Sequence, residues 1–291
     1  MKLLAGILAV VAMAGCIHED RKGCYQWQHE VVLRYPKGIG GLQQHISLVD
    51  MFVFDNTGSF VGTYNIARER LDESLSVKLD LPPGLYTLVG WGNAYNNNFV
   101  DMHTLTDARM LNVTALGNRI AVCDRLYYAM TTLSICEGTH NGDQVQYLDF
   151  DCVHLRLAIQ IEGPFHPDQL PLKVEIWPTG SKFDFTNRPD TEATCLGSSI
   201  TGHPAGETLE QARVVVPKFD LARHVYLVLN EATGRQLTTP PFDLTQHIID
   251  AGINIDNLHG AEIVIRFHYD GANLTIVLGD WNDGQTETGI K

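Results

Sequence analysis

The residues best suited to chemistry lie near the N-terminus of the chain, around Cys16. The segment Met13-Ala14-Gly15 precedes this cysteine, and small residues before a cysteine are what a lipoprotein signal peptidase requires. The apolar run from Leu3 to Ala14 has twelve residues, fewer than the roughly 20 of a bilayer span and typical of a secretory signal. The sequence therefore predicts that the Cys16 thiol is acylated and that residues 1–15 are removed as a signal peptide.

A lipid on Cys16 would hold the chain on a membrane, which we expect to be the outer membrane. Each buried methylene contributes about 0.8 kcal/mol, so a single acyl chain binds weakly and several bind firmly. Residues 16–24 are interpreted as the lipidated tether, in which Glu19 and Asp20 are similar to a signal for the outer face of that membrane. In the alternative interpretation Cys16 is incidental and the signal peptide is an ordinary one.

The rest of the sequence carries no enzyme motif. Nucleophile elbows, HExxH motifs, P-loops and dinucleotide fingerprints are absent. The glycine-rich stretch Gly38–Gly41 does not join a strand to a helix, so we interpret it as a loop. His154 and His268 belong to predicted strands and are expected at the surface or the core edge rather than as ligands. We therefore predict no enzymatic activity, no cofactor and no bound metal.

Two acidic segments could still be sites. Asp149 and Asp151 would face the same side of a strand and could form a carboxylate pair, although solvated acids are the favoured interpretation. The segment Asp280–Gly284 begins like a calcium loop but lacks the downstream bidentate acid. We interpret it as a turn.

Three tryptophans, Trp91, Trp177 and Trp281, fall at the ends of predicted strands. Sugar-binding β-sandwiches carry aromatic platforms at such positions. A tryptophan also brings a large apolar area, so packing in or beside the core is the favoured interpretation.

Five cysteines remain after Cys16: Cys24, Cys123, Cys136, Cys152 and Cys195. Disulfides are allowed in an exported protein, but an odd number leaves at least one thiol free or paired between chains. Cys123 and Cys136 could close a loop, and a buried free cysteine acting as a small apolar residue is an equal alternative. The sequence leaves the pairing open.

The composition favours a globular protein and excludes some partners. The chain has 291 residues, and 44% of them are hydrophobic. This length and this apolar content suit about two domains with sizeable cores. The formal charge is −13. An acidic chain does not neutralise phosphates, so no nucleic-acid partner is expected. It also gains nothing from anionic lipids, so any membrane attachment must come from something other than a basic surface.

Short alternating runs dominate from Val31 onward and predict β-strands. Turn residues at Asp55–Gly58 and at Pro82–Gly84 predict two hairpins. The predicted strands cover 31–35, 46–54, 60–64, 75–81, 85–91, 145–150, 153–162, 172–177, 213–216, 225–230, 263–269 and 274–278.

Four segments lack this alternation. Residues 93–107 are interpreted as a loop, residues 108–130 as a short helix or irregular strands, and residues 183–206 as a long loop. A short helix capped by Asp243 is predicted to run to Ile249.

The strand pattern predicts an all-β fold with two tandem antiparallel β-sandwich domains. Six of these strands fall on each side of residue 150, and no run alternates strands with long helices, so a parallel α/β sheet is not favoured. We place an N-terminal sandwich at 25–151 and a C-terminal sandwich at 152–291, after the signal peptide at 1–15 and the tether at 16–24.

A set of motifs follows one order along nearly the whole chain. It comprises Met13–Cys16, Cys24, Val31–Tyr35, Phe52–Asp55, Gly58–Val61, Leu81–Asn93, Leu155–Leu157, Phe183–Phe185 and Gly279–Trp281. In order and spacing this set resembles the fimbrillin-associated anchor subunits, the minor fimbrial subunit lipoproteins of Bacteroidetes-type fimbriae.

The resemblance implies transthyretin-like, Greek-key sandwiches that are lipid-anchored at Cys16. It implies a protein that attaches a fimbria to the cell surface, limits its length and supports its assembly and adhesion. The implied partners are the fimbrial shaft subunit (the major fimbrillin) and the outer membrane. No catalytic residue is carried over from the family.

Pilus subunits commonly join by adding a strand to a sheet edge, so we expect a groove or a terminal strand to engage the shaft. Residues 274–278 are a candidate strand, although completion of their own sheet is the favoured alternative. Two other functions stay open. One is a surface glycan-binding lipoprotein, and the other is an enzyme whose convergent residues the sequence does not reveal.

Overall fold

A computed structural model of the protein describes residues 28–136, 145–197 and 209–277. The N-terminal half contains β1 (Gln28–Arg34), β2 (Leu48–Asp55), β3 (Phe60–Ala67), α1 (Arg68–Glu73), β4 (Ser76–Asp80), β5 (Gly84–Gly92), β6 (Asn97–Val100), β7 (Arg109–Asn112), β8 (Ala115–Leu116), β9 (Arg119–Ile120), β10 (Tyr127–Ile135), β11 (Val145–Asp149) and β12 (Asp151–Cys152). The C-terminal half contains β13 (His154–Glu162), β14 (Lys173–Asp184), β15 (Pro189–Leu196), β16 (Leu209–Pro217), β17 (Tyr226–Asn230), β18 (Phe242–Asp243), α2 (Leu244–Asp250), β19 (Glu262–Tyr269) and β20 (Leu274–Val277).

Each half forms a sandwich of two sheets, which confirms the predicted all-β fold. In the N-terminal sandwich the sheets have the strand orders β11-β1-β4 and β12-β10-β5-β2-β3. In the C-terminal sandwich the orders are β16-β13-β19-β20 and β18-β17-β14-β15, and the latter sheet continues into β9 and β8. Two separate clusters of buried apolar side chains fill the two sandwiches.

The two sandwiches share one topology. Strands β1, β2, β3, β4, β5, β10 and β11 correspond in pairing and direction to β13, β14, β15, β16, β17, β18 and β19. In each sandwich the first strand pairs in parallel with a late strand, β1 with β11 and β13 with β19. All other pairs in this shared set are antiparallel. The chain therefore repeats one seven-stranded plan.

The hairpin predicted at Asp55–Gly58 is confirmed, since β2 and β3 pair antiparallel on either side of it. The Asp55 carboxylate accepts hydrogen bonds from the amides of Thr57 and Ser59 at 2.8 and 2.9 Å. Gly58 has a φ of 79°, which glycine adopts without steric cost. The sequence signal and the turn therefore agree.

The hairpin predicted at Pro82–Gly84 is wrong. Strand β4 pairs with β1 in one sheet, whereas β5 pairs with β2 and β10 in the other. The turn residues therefore carry the chain across the sandwich. The alternation of apolar and polar residues shows which face of a strand is buried but does not determine which strand pairs with it.

The long loop predicted at 183–206 is also wrong over most of the described part. Strand β14 extends to Asp184, and β15 returns antiparallel from Pro189 to Leu196. The pairing contains register shifts near Thr179, Gly180 and Lys182. Such bulges and the Thr- and Asp-rich composition hide the period of two that marks a regular strand.

The predicted helix beginning after Asp243 is confirmed as α2. The Asp243 carboxylate accepts a hydrogen bond from the Gln246 amide at 3.0 Å, which satisfies one amide of the first helical turn. Leu244 and Ile248 are buried against the C-terminal core.

Candidate functional site

Several predicted functional residues lie outside the described residues. They are Cys16 with its signal peptide, the tether at 16–24 that ends at Cys24, Trp281 and the segment Asp280–Gly284. Acylation of Cys16 and the turn at 280–284 therefore stay predictions.

Asp149 and Asp151 do not form a carboxylate pair that shares a proton. Arg34 donates two hydrogen bonds of 2.7 Å to Asp149, and Lys37 donates one of 2.7 Å to Asp151. All four side chains are more than two-fifths exposed. They are solvated ion pairs at the edge of the N-terminal sandwich, as the sequence favoured.

His154 and Cys152 form a buried pair where the two sandwiches meet. The Cys152 Sγ lies 3.3 Å from His154 Nδ1, and the same nitrogen lies 2.9 Å from the Leu126 carbonyl oxygen. Burial lowers the pKa of His154 to about 4 and raises the pKa of the Cys152 thiol. Both groups are therefore neutral near pH 7, so the thiolate and imidazolium of a nucleophilic pair are disfavoured.

The other polar predictions agree with a structural role. His268 is exposed on β19, and Gly38–Gly41 forms a loop in which Gly40 and Gly41 have φ of 82° and 84°. Within the described ranges, no group of three His, Cys, Asp or Glu side chains could hold a metal. In the same ranges no helix is both long enough and apolar enough to cross a membrane.

Trp91 is fully buried between the sandwiches and cannot be part of a sugar-binding platform. It belongs to an aromatic cluster, the seam cluster, that joins β2 and β5 to the end of β14. Phe185 lies at its centre, with ring centroids 5.0 Å from Phe52 and 5.8 Å from Phe54. The cluster comprises Phe52, Phe54, Val89, Trp91, Ala94, Ala108, Met110, Leu126, Phe183 and Phe185.

The seam cluster explains why residues 51–54 of β2 form an unbroken apolar run. Val49, Met51 and Val53 point into the N-terminal core, and Phe52 and Phe54 point into the seam cluster. A strand buried on both faces loses the alternation of a half-buried strand.

Trp177 is placed differently, on the outer face of the C-terminal sandwich. Its side chain is 37% exposed, and its ring centroid lies 5.0 Å from that of Tyr226. His224 continues the row, 6.2 Å from Tyr226 and nearly parallel to it. These three rings form a short exposed aromatic row.

A segment that the sequence did not resolve joins the two sandwiches. Residues 93–126, the bridging segment, leave the N-terminal sandwich after β5 and return at β10. Within it, β7 pairs with β14 and β9 pairs in parallel with β15. Asp124 holds the segment together by accepting hydrogen bonds from Asn96 and Asn97 at 2.6–2.8 Å. The many asparagines were the available sequence signal for this network.

An open groove lies on the N-terminal sandwich between β3 and β4. Its volume is about 380 Å³, and its walls are residues 63–66 of β3, Arg70 of α1, and Val77 and Lys78 of β4. Ile66 and Val77 are largely buried, whereas Thr63 is exposed. Each flanking strand is the last of its sheet within the described residues, so each presents unpaired backbone amides and carbonyls.

The equivalent edge of the C-terminal sandwich is occupied. Strand β15 corresponds to β3, and β9 of the bridging segment lies beside it, with Thr194 opposite Arg119 and Cys195 opposite Ile120. The same type of edge is therefore filled by a strand from elsewhere in one sandwich and left open in the other.

Residues 274–277 complete their own sheet. Strand β20 pairs antiparallel with β19, with Arg266 opposite Val277 and Tyr269 opposite Leu274. This is the alternative that the sequence favoured for the candidate terminal strand.

The described part of the chain is a two-sandwich β-protein with uncovered strand edges. The family model described as "Fimbrillin-A associated anchor proteins Mfa1 and Mfa2" matches residues 31–283. The chain therefore belongs to this family of fimbrial anchor proteins, as the sequence resemblance predicted. The family is a structural one and not an enzyme family.

Solved structures share the fold at low sequence identity. A candidate adhesin from Bacteroides ovatus is 13% identical with a TM-score of 0.71, over 89% of this chain and 96% of that one. The fimbrial anchor protein Mfa2 from Porphyromonas gingivalis is 16% identical with a TM-score of 0.63, over 86% and 95% of the two chains. A candidate polysaccharide-binding protein from Bacteroides thetaiotaomicron is 13% identical with a TM-score of 0.68, over 86% and 95%. A search of the curated proteins found no match.

Proposed function

We propose that the protein is an outer-membrane lipoprotein that anchors a fimbria to the cell surface and supports its assembly and adhesion. The observation that carries this proposal is the family match over residues 31–283. The fold supports it, because two rigid sandwiches joined by a buried seam cluster suit a part that must withstand pulling. The boundary predicted between residues 151 and 152 is moved in this proposal to Val153, since Cys152 pairs with Tyr127 in the N-terminal sandwich and β13 begins at His154.

Membrane attachment is assigned to the acylated Cys16, with residues 16–24 as the tether. An acidic chain needs such an anchor, because its charge of −13 gives no attraction to an anionic lipid surface. Lipid chains bury many methylenes and hold firmly when several are present.

Replacement of Cys16 by Ala tests the anchor. We expect fimbriae to be shed into the medium or lengthened while the shaft subunit is still made. Cys24→Ala is the matched control and should leave fimbriae on the cell. Retention of both the protein and the fimbriae in the outer membrane of the Cys16→Ala cells would contradict the proposal.

The shaft subunit is assigned to the β3/β4 groove, where it would add a strand. Added strands gain affinity from main-chain hydrogen bonds and specificity from side-chain pockets. The groove offers both, with free strand edges at its sides and the half-buried Tyr64 within it. The pairing of β9 with β15 in the other sandwich is an internal precedent for filling this edge.

Thr63→Lys tests the groove, because Thr63 is exposed and lines it, and lysine on an edge strand opposes strand addition. We expect less shaft subunit to co-purify with this variant. Thr132→Lys, on an exposed position of β10 away from the groove, is the matched control and should behave like the natural protein. Equal recovery of shaft subunit with both variants would exclude the groove and leave the Cys16 anchor untouched.

Glycan binding is a second candidate function, favoured by the exposed row of Trp177, Tyr226 and His224. Stacking on a sugar ring should quench Trp177 fluorescence, and Trp177→Ala should abolish the change. The buried Trp91 is a built-in reference that no glycan reaches. Absence of quenching across a panel of surface polysaccharides would remove this candidate.

A further inference from the structure

Two cysteines from different halves of the protein meet where β9 lies beside β15. Cys195 is in β15 of the C-terminal sandwich, and Cys123 follows β9 in the bridging segment. Their Sγ atoms are 2.9 Å apart although the residues are 72 positions apart in the chain. Cys195 is buried and Cys123 is half-buried, so the fold brings together two thiols that the sequence did not pair.

We infer that Cys123 and Cys195 form a disulfide that staples the bridging segment to the C-terminal sandwich. A sulfur–sulfur bond is about 2.05 Å long, so closure requires an approach of less than about 1 Å from the separation of 2.9 Å. Parallel pairing of Cys195 with Ile120 already holds the two chain segments side by side.

The oxidation balances by thiol–disulfide exchange with an envelope oxidoreductase that carries a reactive disulfide. The two thiols lose two protons and two electrons and become one disulfide, while the oxidoreductase disulfide takes up both and becomes a dithiol. This step rests on the proposed export of the chain, since disulfides persist outside the reducing cytosol.

The order of events follows from burial of the thiols. Hydrogen bonding to Cys195 and burial raise the pKa of the Cys123 thiol, and the thiolate is the form that attacks a disulfide. The bond therefore forms while the strands are still exposed during folding, before the C-terminal core closes around the two thiols.

The staple would reinforce a weak point. Strand β9 has only two residues, and these pair with Thr194 and Cys195 of β15. So short a ladder has few hydrogen bonds to hold β9 against β15.

Tryptic mapping of the protein taken from the cell envelope tests the bond directly. Alkylation at lysis blocks free thiols, and digestion without reductant leaves Cys123 in peptide 120–125 and Cys195 in peptide 183–213. We expect these two peptides to be linked, and the link to disappear on reduction. Recovery of both cysteines in alkylated form, or linkage of 120–125 to peptide 126–156 that carries Cys136 and Cys152, would overturn the inference.

Thermal unfolding provides a second readout. Reductant should lower the melting temperature of the natural protein by about 5–10 °C. Cys123→Ser with Cys195→Ser should remove the response to reductant, whereas Cys136→Ser should keep it. A response that survives in the double variant would overturn the inference. The result is independent of the Cys16 experiment, because the bond is detected whether or not fimbriae are retained.

Discussion

The N-terminal and C-terminal sandwiches repeat one strand order but differ in what covers them. The outer face of β2 and β5 is buried under the bridging segment and the end of β14, whereas the outer face of β14 and β17 carries the partly exposed Trp177 and Tyr226. The edge of β15 is filled by β9, whereas the corresponding edge of β3 is open beside a groove. The two sandwiches therefore have the same topology but different exposed surfaces, because different segments of the chain cover them.

This difference separates a sandwich that is locked at its seam from one that keeps an edge for a partner. Edge strands are templates for pairing with other chains, and proteins normally cover or charge them. The β3/β4 groove is thus an uncovered edge that the repeated plan makes visible, because its counterpart on β15 is filled.

Phe185→Ala should have the largest effect on stability. The ring is fully buried and contacts Phe52 and Phe54 across the seam, so its removal should lower the free energy of unfolding by about 3–5 kcal/mol. Phe60→Ala is the control, because Phe60 is 38% exposed and lies on β3 beside Phe54. Chemical denaturation of the two variants measures the loss in the free energy of unfolding caused by each substitution. Equal losses would mean that the seam is no better packed than the edge.

The junction at His154 should make stability depend on pH. Its folded-state pKa is about 4, below the ordinary value of 6.5, so below pH 6.5 the unfolded chain binds the proton more readily. The free energy of unfolding should fall by about 3 kcal/mol as the pH decreases from 6.5 to about 4.

His154→Asn should reduce this pH dependence, because the amide can still donate to the Leu126 carbonyl but does not titrate. His268→Asn, on an exposed position of β19, is the matched control and should keep it. A natural protein whose unfolding free energy is constant over this range would contradict the buried neutral imidazole.

Alanine substitutions at two glycines, one in the interior of the N-terminal sandwich and one at its edge, compare how tightly the two regions are packed. A Cβ on Gly90 in β5 would lie 2.8 Å from Phe150 Cζ and 3.1 Å from Leu148 Cδ2, whereas one on Gly62 in β3 would meet no atom within 4 Å. Gly90→Ala should therefore cost about 1–3 kcal/mol through overpacking. Gly62→Ala should be neutral or stabilise by less than about 1 kcal/mol, since it restricts the unfolded chain. A lower denaturation midpoint for Gly62→Ala than for Gly90→Ala would contradict this prediction.

Local features were predictable where the interacting residues lie close together in the sequence. The β2–β3 hairpin follows from Asp55 and Gly58 in the turn, and α2 follows from the Asp243 cap. The positions of most strands follow from alternation, because one buried face imposes a period of two. The groove gave no such signal, since it depends on which strands end each sheet.

The sequence by itself determined the strand-rich character of the chain, the positions of most strands and the resemblance to the anchor family. It also supplied the prediction that Cys16 is acylated. Only the tertiary structure decided that Pro82–Gly84 crosses between sheets, that the bridging segment pairs with β14 and β15, and that Cys123 meets Cys195. The physical reason is that periodicity records which face of a strand is buried, whereas the choice of neighbouring strand depends on contacts between residues far apart in the chain.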